Sequence, residues 1–174
     1  MTRKGIITNT SHGLFANFVT LCTCFSITHA SVDSILDYAS SELGPFLGAH
    51  AGFLLYVFYT FSSLIIAKPI VSIFGQKVGI MFGLLCLLFY VICFYISILL
   101  REYSVPVFLF GASVCGVGAG VAWTAQSSYY SKNADLYAAS GGFSQSDTNS
   151  NFAAVFAFIY LGFEAFTKVC SLST

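Results

Sequence analysis

The chain has 174 residues, of which 57% are hydrophobic and only 8% are charged, with seven basic and seven acidic side chains. Soluble domains carry about 25% charged residues, so this composition excludes a water-soluble protein and indicates one that resides in a lipid bilayer. The net charge of zero at pH 7 also excludes a basic surface for nucleic acid. We therefore expect the lipid bilayer, and no nucleic acid, among the partners.

Five apolar blocks are each long enough to cross the hydrocarbon core of a bilayer, which takes about 20 residues of helix. They predict an all-helical membrane protein with one transmembrane domain over residues 1–174 and spans near residues 14–32, 46–67, 78–100, 105–127 and 152–171. Helix breakers such as Gly44, Pro45 and Gly75 lie between the blocks. The polar segment 131–151 is the one long connection, and we expect a mobile surface loop there.

The first span carries polar side chains at intervals of three or four residues, which places them on one helical face: Asn17, Thr20, Cys24, Thr28 and Ser31. Such a face indicates contact with other helices or with a hydrated cavity. His29 lies near the outer end, where a single histidine is more often part of hydrogen-bonded packing than of a proton relay. The acidic residues Asp33, Asp37 and Glu42 predict a solvated connector after the span.

The positions of lysine and arginine predict the orientation of the chain. A cytoplasmic N-terminus places Arg101 and Lys168 toward the opposite side and the other five basic residues in the cytoplasm, namely Arg3, Lys4, Lys68, Lys77 and Lys132. Cytoplasmic loops carry an excess of basic residues, so this orientation is the expected one. The 131–151 loop is then cytoplasmic.

Small residues recur at every fourth position through the fourth span: Ala112, Gly116, Gly120, Thr124 and Ser128. Successive members of this row lie one above another on a helix, and small side chains allow the backbones of two helices to approach closely. The row therefore predicts a helix-packing face with a GxxxG spacing at its centre. A polar and aromatic tail follows, including Trp123 and Gln126.

No pattern in the sequence is typical of an active site. The chain lacks the GxSxG, HExxH and CxxC motifs and a phosphate-binding loop with its lysine. All six cysteines fall in apolar segments, where a thiol behaves as a small hydrophobic group. We predict a protein that is not an enzyme, with no catalytic residue, metal site or cofactor.

The end of the fourth span combines a glycine-rich run with a WTAQ-x-x-Y element, here Gly116, Gly118, Gly120, Trp123, Thr124, Ala125, Gln126 and Tyr129. This combination resembles the Unc-93-like family of the major facilitator superfamily, in which such an element is typical of the fourth span. The resemblance implies a facilitator bundle, which has two six-span halves with a pathway between them. With five spans, the chain would correspond to an incomplete amino-terminal half, as a fragment or a truncated product.

Two functions follow from this resemblance. In the first, the chain is a transporter-like module in which polar residues line half of a pathway: Asn17, Thr20, His29, Ser31, Trp123, Gln126, Glu164 and Lys168. In the alternative, it is an accessory protein that regulates an ion channel or escorts membrane receptors, as the resemblance to animal members implies. The expected partners are the missing carboxy-terminal half or other membrane proteins, and the substrate is unknown.

The fifth span departs from the family pattern at two ionisable residues. Glu164 and Lys168 stand in a stretch where a glutamine followed by Trp-Gly-Asn is common in the family. They are four residues apart with the acid first, the better orientation for an ion pair on a helix. One interpretation is an ion pair at the helix end, with Lys168 reaching the interface. The other is a protonatable carboxylate that faces the cavity beside His29.

Overall fold

The computed structural model describes the backbone of residues 3–141 and 144–172 and the side chains of residues 11–141 and 144–170. The described chain folds into five α-helices: α1 (Arg3–Glu42), α2 (Pro45–Phe61), α3 (Ala67–Leu99), α4 (Ser104–Gly141) and α5 (Gln145–Leu172). A π-helical turn, Ser62–Ile66, joins α2 to α3, and a 3-10 turn, Arg101–Tyr103, joins α3 to α4. The prediction of an all-helical protein is confirmed for this part of the chain.

Two glycines with positive φ interrupt the helical course. Gly44 has a φ of 96° and separates α1 from α2, which begins with Pro45 at its first position. Gly75 has a φ of 84° and a ψ of 164°, so the backbone inside α3 leaves the helical region at this residue. A residue with a β-carbon rarely adopts such angles, which explains glycine at both positions.

Several helical segments are long and apolar enough to cross a membrane. Within the described residues there are four: Ser11–Glu42, Pro45–Leu99, Arg101–Gly141 and Gln145–Cys170. The protein is therefore a multi-pass integral membrane protein. The second segment has 55 residues and contains both the predicted second and third spans. The count of five spans remains a prediction.

The structure differs from the sequence analysis in two connections. The predicted acidic connector after the first span is helical, because α1 continues to Glu42 and buries Val32 and Ala39. The predicted 131–151 loop is also mostly helical, since α4 continues to Gly141 and α5 begins at Gln145. Ala134 and Ala138 are buried, so the helical burial pattern extends beyond the fourth apolar block.

The chain divides into two compact units. One consists of Ser31–Gln126, and we call it the contiguous unit. The other combines Met1–Ala30 with Ser127–Thr174, and we call it the composite unit. The helices α1 and α4 each contribute residues to both units.

The contiguous unit has a core to which α1, α2, α3 and α4 all contribute. Its buried members are Val32, Ala39, Leu47, Ala51, Leu55, Leu87, Tyr90, Phe108, Ala112, Cys115 and Ala119. The rings of Tyr90 and Phe108 stack with their centroids 5.4 Å apart. At one end of this unit, the Arg101 guanidinium donates a hydrogen bond of 2.6 Å to the Glu42 carbonyl oxygen.

The composite unit has a smaller core, which is made mainly of aromatic rings. Phe18, Cys22, Ala134 and Phe152 are its buried members. The rings of Phe18 and Phe152 lie 4.4 Å apart, and those of Phe18 and Tyr130 lie 5.7 Å apart. The Tyr130 hydroxyl donates a hydrogen bond to the Asn149 carbonyl oxygen, so α4 and α5 are also linked by a polar contact.

Candidate functional site

The row of small residues on α4 faces α2. A β-carbon placed on Gly120 would lie 2.9 Å from the Ser63 nitrogen and 2.9 Å from the Tyr59 carbonyl oxygen. One on Gly116 would lie 2.9 Å from the Tyr59 nitrogen and would also collide with the Leu55 carbonyl oxygen. The atoms met are mainly backbone atoms, which cannot move aside as a side-chain end can. At Gly116 and Gly120, α4 and α2 are therefore in backbone contact.

The other positions of this row have different roles. Ala112 is fully buried and belongs to the core of the contiguous unit. The Thr124 hydroxyl donates a hydrogen bond of 2.9 Å to the Gly120 carbonyl oxygen one turn earlier in the same helix. Bonding within the helix satisfies a polar group that would otherwise be costly in lipid or in a packed interface.

A second small-residue contact joins α4 to α3, and the sequence analysis missed it. A β-carbon on Gly79 would lie 2.9 Å from the Ala125 β-carbon, and one on Gly83 would collide with Ala122. From the side of α4, Gly118 packs in the same way against Cys86. The four-residue spacing from Gly79 to Gly83 is itself a GxxxG pattern, and this signal would have identified the face.

The π-helical turn between α2 and α3 adds a hydrogen bond to α4. Ser62, the first residue of the turn, is fully buried, and its hydroxyl donates a 2.8 Å hydrogen bond to the Val117 carbonyl oxygen. The next residue, Ser63, is the one that Gly120 contacts. A single π-helical turn shifts the register of the backbone and is frequent at functional sites. Nothing in the sequence analysis pointed to this turn.

The remaining candidates in the contiguous unit differ in exposure. Gln126 is only 3% exposed, Trp123 is half-buried, and Ser31 is exposed. Tyr90 was not predicted: its hydroxyl is buried with no hydrogen-bond partner in the described part of the chain. A tyrosine within an apolar run gives no sequence signal that would single it out.

The polar row of α1 lies mostly at the surface. Asn17, Thr20, Cys24 and Ser31 are exposed, and Thr28 is half-buried. The hydroxyls of Thr20 and Thr28 donate hydrogen bonds of 2.9 Å to the carbonyl oxygens of Ala16 and Cys24 in the same helix. The Asn17 amide has no such bond among the described residues. Asn17 is therefore the member of the row with the greatest need for an external polar partner.

The titratable candidates of the composite unit are distributed over α1 and α5. The His29 ring is half-buried, 5.0 Å from the Phe25 ring and 6.1 Å from the Tyr160 ring. Glu164 lies one turn after Tyr160 and forms an ion pair of 3.5 Å with Lys168. The Lys168 side chain is 55% exposed and that of Glu164 is 30% exposed. No group of three or more metal-ligating side chains occurs within the described residues.

A comparison with protein-family models identifies residues 42–162 as matching the model described as ion channel regulatory protein UNC-93. The match covers more than two thirds of the chain. The chain belongs to the UNC-93 family. The glycine contacts of α4 and the WTAQ element lie inside the matched region, whereas most of α1 precedes it. No curated protein and no solved structure matches the chain.

Proposed function

We propose that this UNC-93 family member is a non-enzymatic accessory subunit that binds another membrane protein through the polar row of α1. The observation that carries the proposal is the exposure of Asn17, Thr20 and Cys24 on one face of a membrane-spanning helix. An amide left without a partner in hydrocarbon costs at least about 1–3 kcal/mol. Contact with polar groups of a second membrane protein removes this cost. The description of the family as ion channel regulators supports a channel as that partner.

We propose five crossings with a cytoplasmic N-terminus for this subunit. A continuous helix of the length of Pro45–Leu99 would be about 80 Å long, and the hydrocarbon core is about 30 Å thick. The break at Gly75 supports a reversal between two crossings, and the exposed Lys68 and Lys77 on either side of it favour a cytoplasmic turn. The bond from Arg101 to Glu42 supports a common location for these two segments at the other end of the unit.

Cysteine labelling in intact cells tests this topology. The background variant lacks the exposed Cys24 and Cys170, and single cysteines are introduced by Ser41→Cys or Ser72→Cys. An impermeant reagent is expected to label position 41 from outside and position 72 only after permeabilisation. Labelling of both positions from the same side would rule out the reversal at Gly75.

The accessory role is tested by photo-crosslinking at two exposed positions. A photoreactive amino acid at position 20 lies on the polar row, and the matched control at Phe158 lies on α5, where the side chain is 83% exposed. We expect a protein crosslink from position 20 and only lipid adducts from position 158. The crosslinked partner is then co-expressed with the chain, and the Asn17→Leu and Thr20→Leu variants are expected to weaken the change in its current. Protein crosslinks of equal yield from both positions would contradict the proposal.

A transporter-like module of the facilitator type is the second candidate. It is favoured by the packing of His29 against Tyr160, one turn from the ion pair of Glu164, since intramembrane titratable groups are typical of transport pathways. Reconstitution of the purified chain into liposomes tests this candidate. Saturable ion or amino acid uptake that Glu164→Gln abolishes would establish transport and displace the accessory role.

A further inference from the structure

A cavity of about 380 Å³ opens in the composite unit among α1, α4 and α5. This volume is within the range of small-molecule sites, about 300–1,000 Å³. Three aromatic rings line it, from Phe15, Tyr137 and Phe152, and its polar lining consists of Asp147, Thr148 and Asn151. The glycine contacts and the titratable candidates described above are not part of it.

The three rings form an open aromatic cluster rather than a stack. Their centroids are 5.3 Å apart between Tyr137 and Phe152, 5.8 Å between Phe15 and Phe152, and 6.3 Å between Phe15 and Tyr137. The ring planes are inclined to one another by 51° to 77°. Inclined rings do not cover each other's faces completely. Phe152 is only 2% exposed, so the faces that a cation can reach are those of Phe15, which is 38% exposed, and of the half-buried Tyr137. Aromatic rings attract cations through their quadrupole.

The charged side chain of the cavity also favours a cation. Asp147 in the first turn of α5 is the charged residue among the lining side chains, and no lysine or arginine is among them. The carboxylate is exposed, so it is accessible at the opening of the cavity. An acidic group beside several aromatic faces attracts organic cations and repels anions.

Thr148 provides an independent indication of a ligand. The residue is only 2% exposed, lines the cavity, and has a hydroxyl with no hydrogen-bond partner in the described part of the chain. Its backbone nitrogen already donates to the Ser144 carbonyl oxygen. A buried hydroxyl that remains unbonded costs about 1–3 kcal/mol, so a ligand oxygen at this place would remove an existing penalty.

The cavity lies where the polar and apolar parts of the unit meet. Phe152 is the first apolar residue after the polar run 145–151, and Phe15 is at the beginning of the apolar part of α1. Such a boundary in a membrane helix is at the level of the lipid headgroups. Both headgroups and soluble cations can reach this level.

We propose that this cavity binds a quaternary ammonium group of the kind that choline carries. A primary ammonium has three N–H donors that need acceptors, whereas a quaternary ammonium has none and requires only aromatic faces and a negative charge. The lining supplies those faces and one carboxylate. The Thr148 hydroxyl is then available to the oxygen that follows the ammonium group in choline or in a phosphocholine headgroup.

Binding to the purified chain in maltoside micelles tests the proposal. The probes are choline chloride, tetramethylammonium chloride and 3,3-dimethylbutanol, which has the shape of choline without its charge, and saturation-transfer NMR gives each Kd. We expect binding of both cations and at least about fivefold weaker binding of the neutral analogue. Equal affinities for choline and the neutral analogue would overturn the proposal.

Variants of the lining sharpen the test. Phe15 is 38% exposed and Asp147 is exposed, so Phe15→Leu and Asp147→Asn leave the buried core intact, and each is expected to weaken binding of both cations about three- to tenfold. The matched controls Phe166→Leu, on the exposed face of α5, and Asp37→Asn, on α1, are expected to keep the parental affinity. Parental affinity in both lining variants would also overturn the proposal.

The Thr148→Val variant separates the contribution of the hydroxyl to binding from that of the aromatic rings and the carboxylate. Valine has nearly the same shape, so we expect weaker binding of choline, unchanged binding of tetramethylammonium, and a higher melting temperature because the unbonded hydroxyl is gone. Equal losses for both cations would contradict the role given to Thr148.

Short-chain phosphatidylcholine and phosphatidylglycerol, used as monomers, then identify the source of the cation. Displacement of choline by the first lipid alone supports a lipid headgroup. Choline binding that neither lipid displaces supports a soluble cation.

Discussion

Inside each of the two units, the helices are joined by a different kind of contact. In the contiguous unit, α4 meets its neighbours through Gly116, Gly118 and Gly120, and each of them has a backbone atom of the neighbouring segment among its nearest contacts. In the composite unit, the helices meet through the rings of Phe18, Tyr130 and Phe152. The first kind of contact requires the absence of a side chain, and the second requires its presence.

Small residues and aromatic rings join helices by different physical means. In hydrocarbon, burial of apolar side chains gives little net stabilisation, so close backbone contact over small residues is an effective way to join helices. The composite unit instead joins its helices through buried aromatic rings, which give large contact surfaces and prefer inclined arrangements. The apolar window of α4 is accordingly 56% buried, whereas only 6% of the α5 window is buried.

The largest expected effect is that of a bulky side chain at the glycine contact. Gly120→Leu places a branched side chain against the Ser63 nitrogen and the Tyr59 carbonyl oxygen, which cannot move without opening the helix pair. We expect a loss above about 3 kcal/mol in the free energy of unfolding, which steric trapping in bicelles measures.

Gly162→Leu on α5 is the matched control, since a β-carbon there meets no atom of the described chain within 4 Å. We expect it to retain the parental stability. Equal stability of the two variants would show that the contact between α2 and α4 is not essential.

The second expected effect concerns the ring cluster. Phe152 is 2% exposed and lies within 6.3 Å of the rings of Phe15, Phe18, Tyr130 and Tyr137. Phe152→Ala leaves a cavity among these rings and is expected to cost about 3 kcal/mol. Phe158→Ala, at an 83% exposed position on the same helix, is the control and should cost less than about 1 kcal/mol. Similar losses would mean that the cluster does not hold the composite unit together.

The sequence was sufficient for the all-helical class, and it pointed to one of the two glycine faces. The length of the apolar blocks and the spacing of Gly116 and Gly120 are local signals, and the structure places both glycines against a neighbouring backbone. The contact of Gly118 with Cys86 depends on which helix is adjacent, and this is not encoded in a single helix. The hydrogen bond from Ser62 in the π-helical turn likewise depends on the neighbouring helix, because its acceptor is the Val117 carbonyl oxygen of α4.

The limits of sequence patterns are also evident at the helix ends and in the site. The polarity of residues 131–151 predicts a loop, but buried Ala134 and Ala138 extend α4 through half of it. For the polar row of α1, residue type predicts contact with other helices or with a hydrated cavity, whereas the hydroxyls of Thr20 and Thr28 bond to their own helix. Side-chain polarity indicates a face, and only the structure shows whether that polarity is already satisfied.

The third expected effect separates a hydrogen bond between helices from one within a helix. Ser62 donates to the Val117 carbonyl oxygen of α4, whereas Thr60 donates to the Tyr56 carbonyl oxygen of its own helix. Hydrogen bonds between membrane helices contribute about 0.6 kcal/mol on average and up to about 1.7 kcal/mol. Ser62→Ala is therefore expected to lower the unfolding free energy by about 1 kcal/mol and Thr60→Ala by almost nothing. A larger loss in Thr60→Ala would contradict the distinction.

The smallest expected effect is that of the ion pair on α5, whose apolar window has the smallest buried fraction among the four candidate membrane segments of the described residues. Lys168 is 55% exposed, and the pair joins residues four apart on one helix, for which couplings of about 0.3–0.5 kcal/mol are typical. A double-mutant cycle with Glu164→Gln and Lys168→Met is expected to give a coupling of this size. A coupling above about 2 kcal/mol would instead place the pair in a low-dielectric setting covered by another protein surface. The same cycle is then measured with the partner that is captured at position 20 bound to the chain. The coupling rises if this partner also covers α5, and it is unchanged if the partner contacts α1 alone.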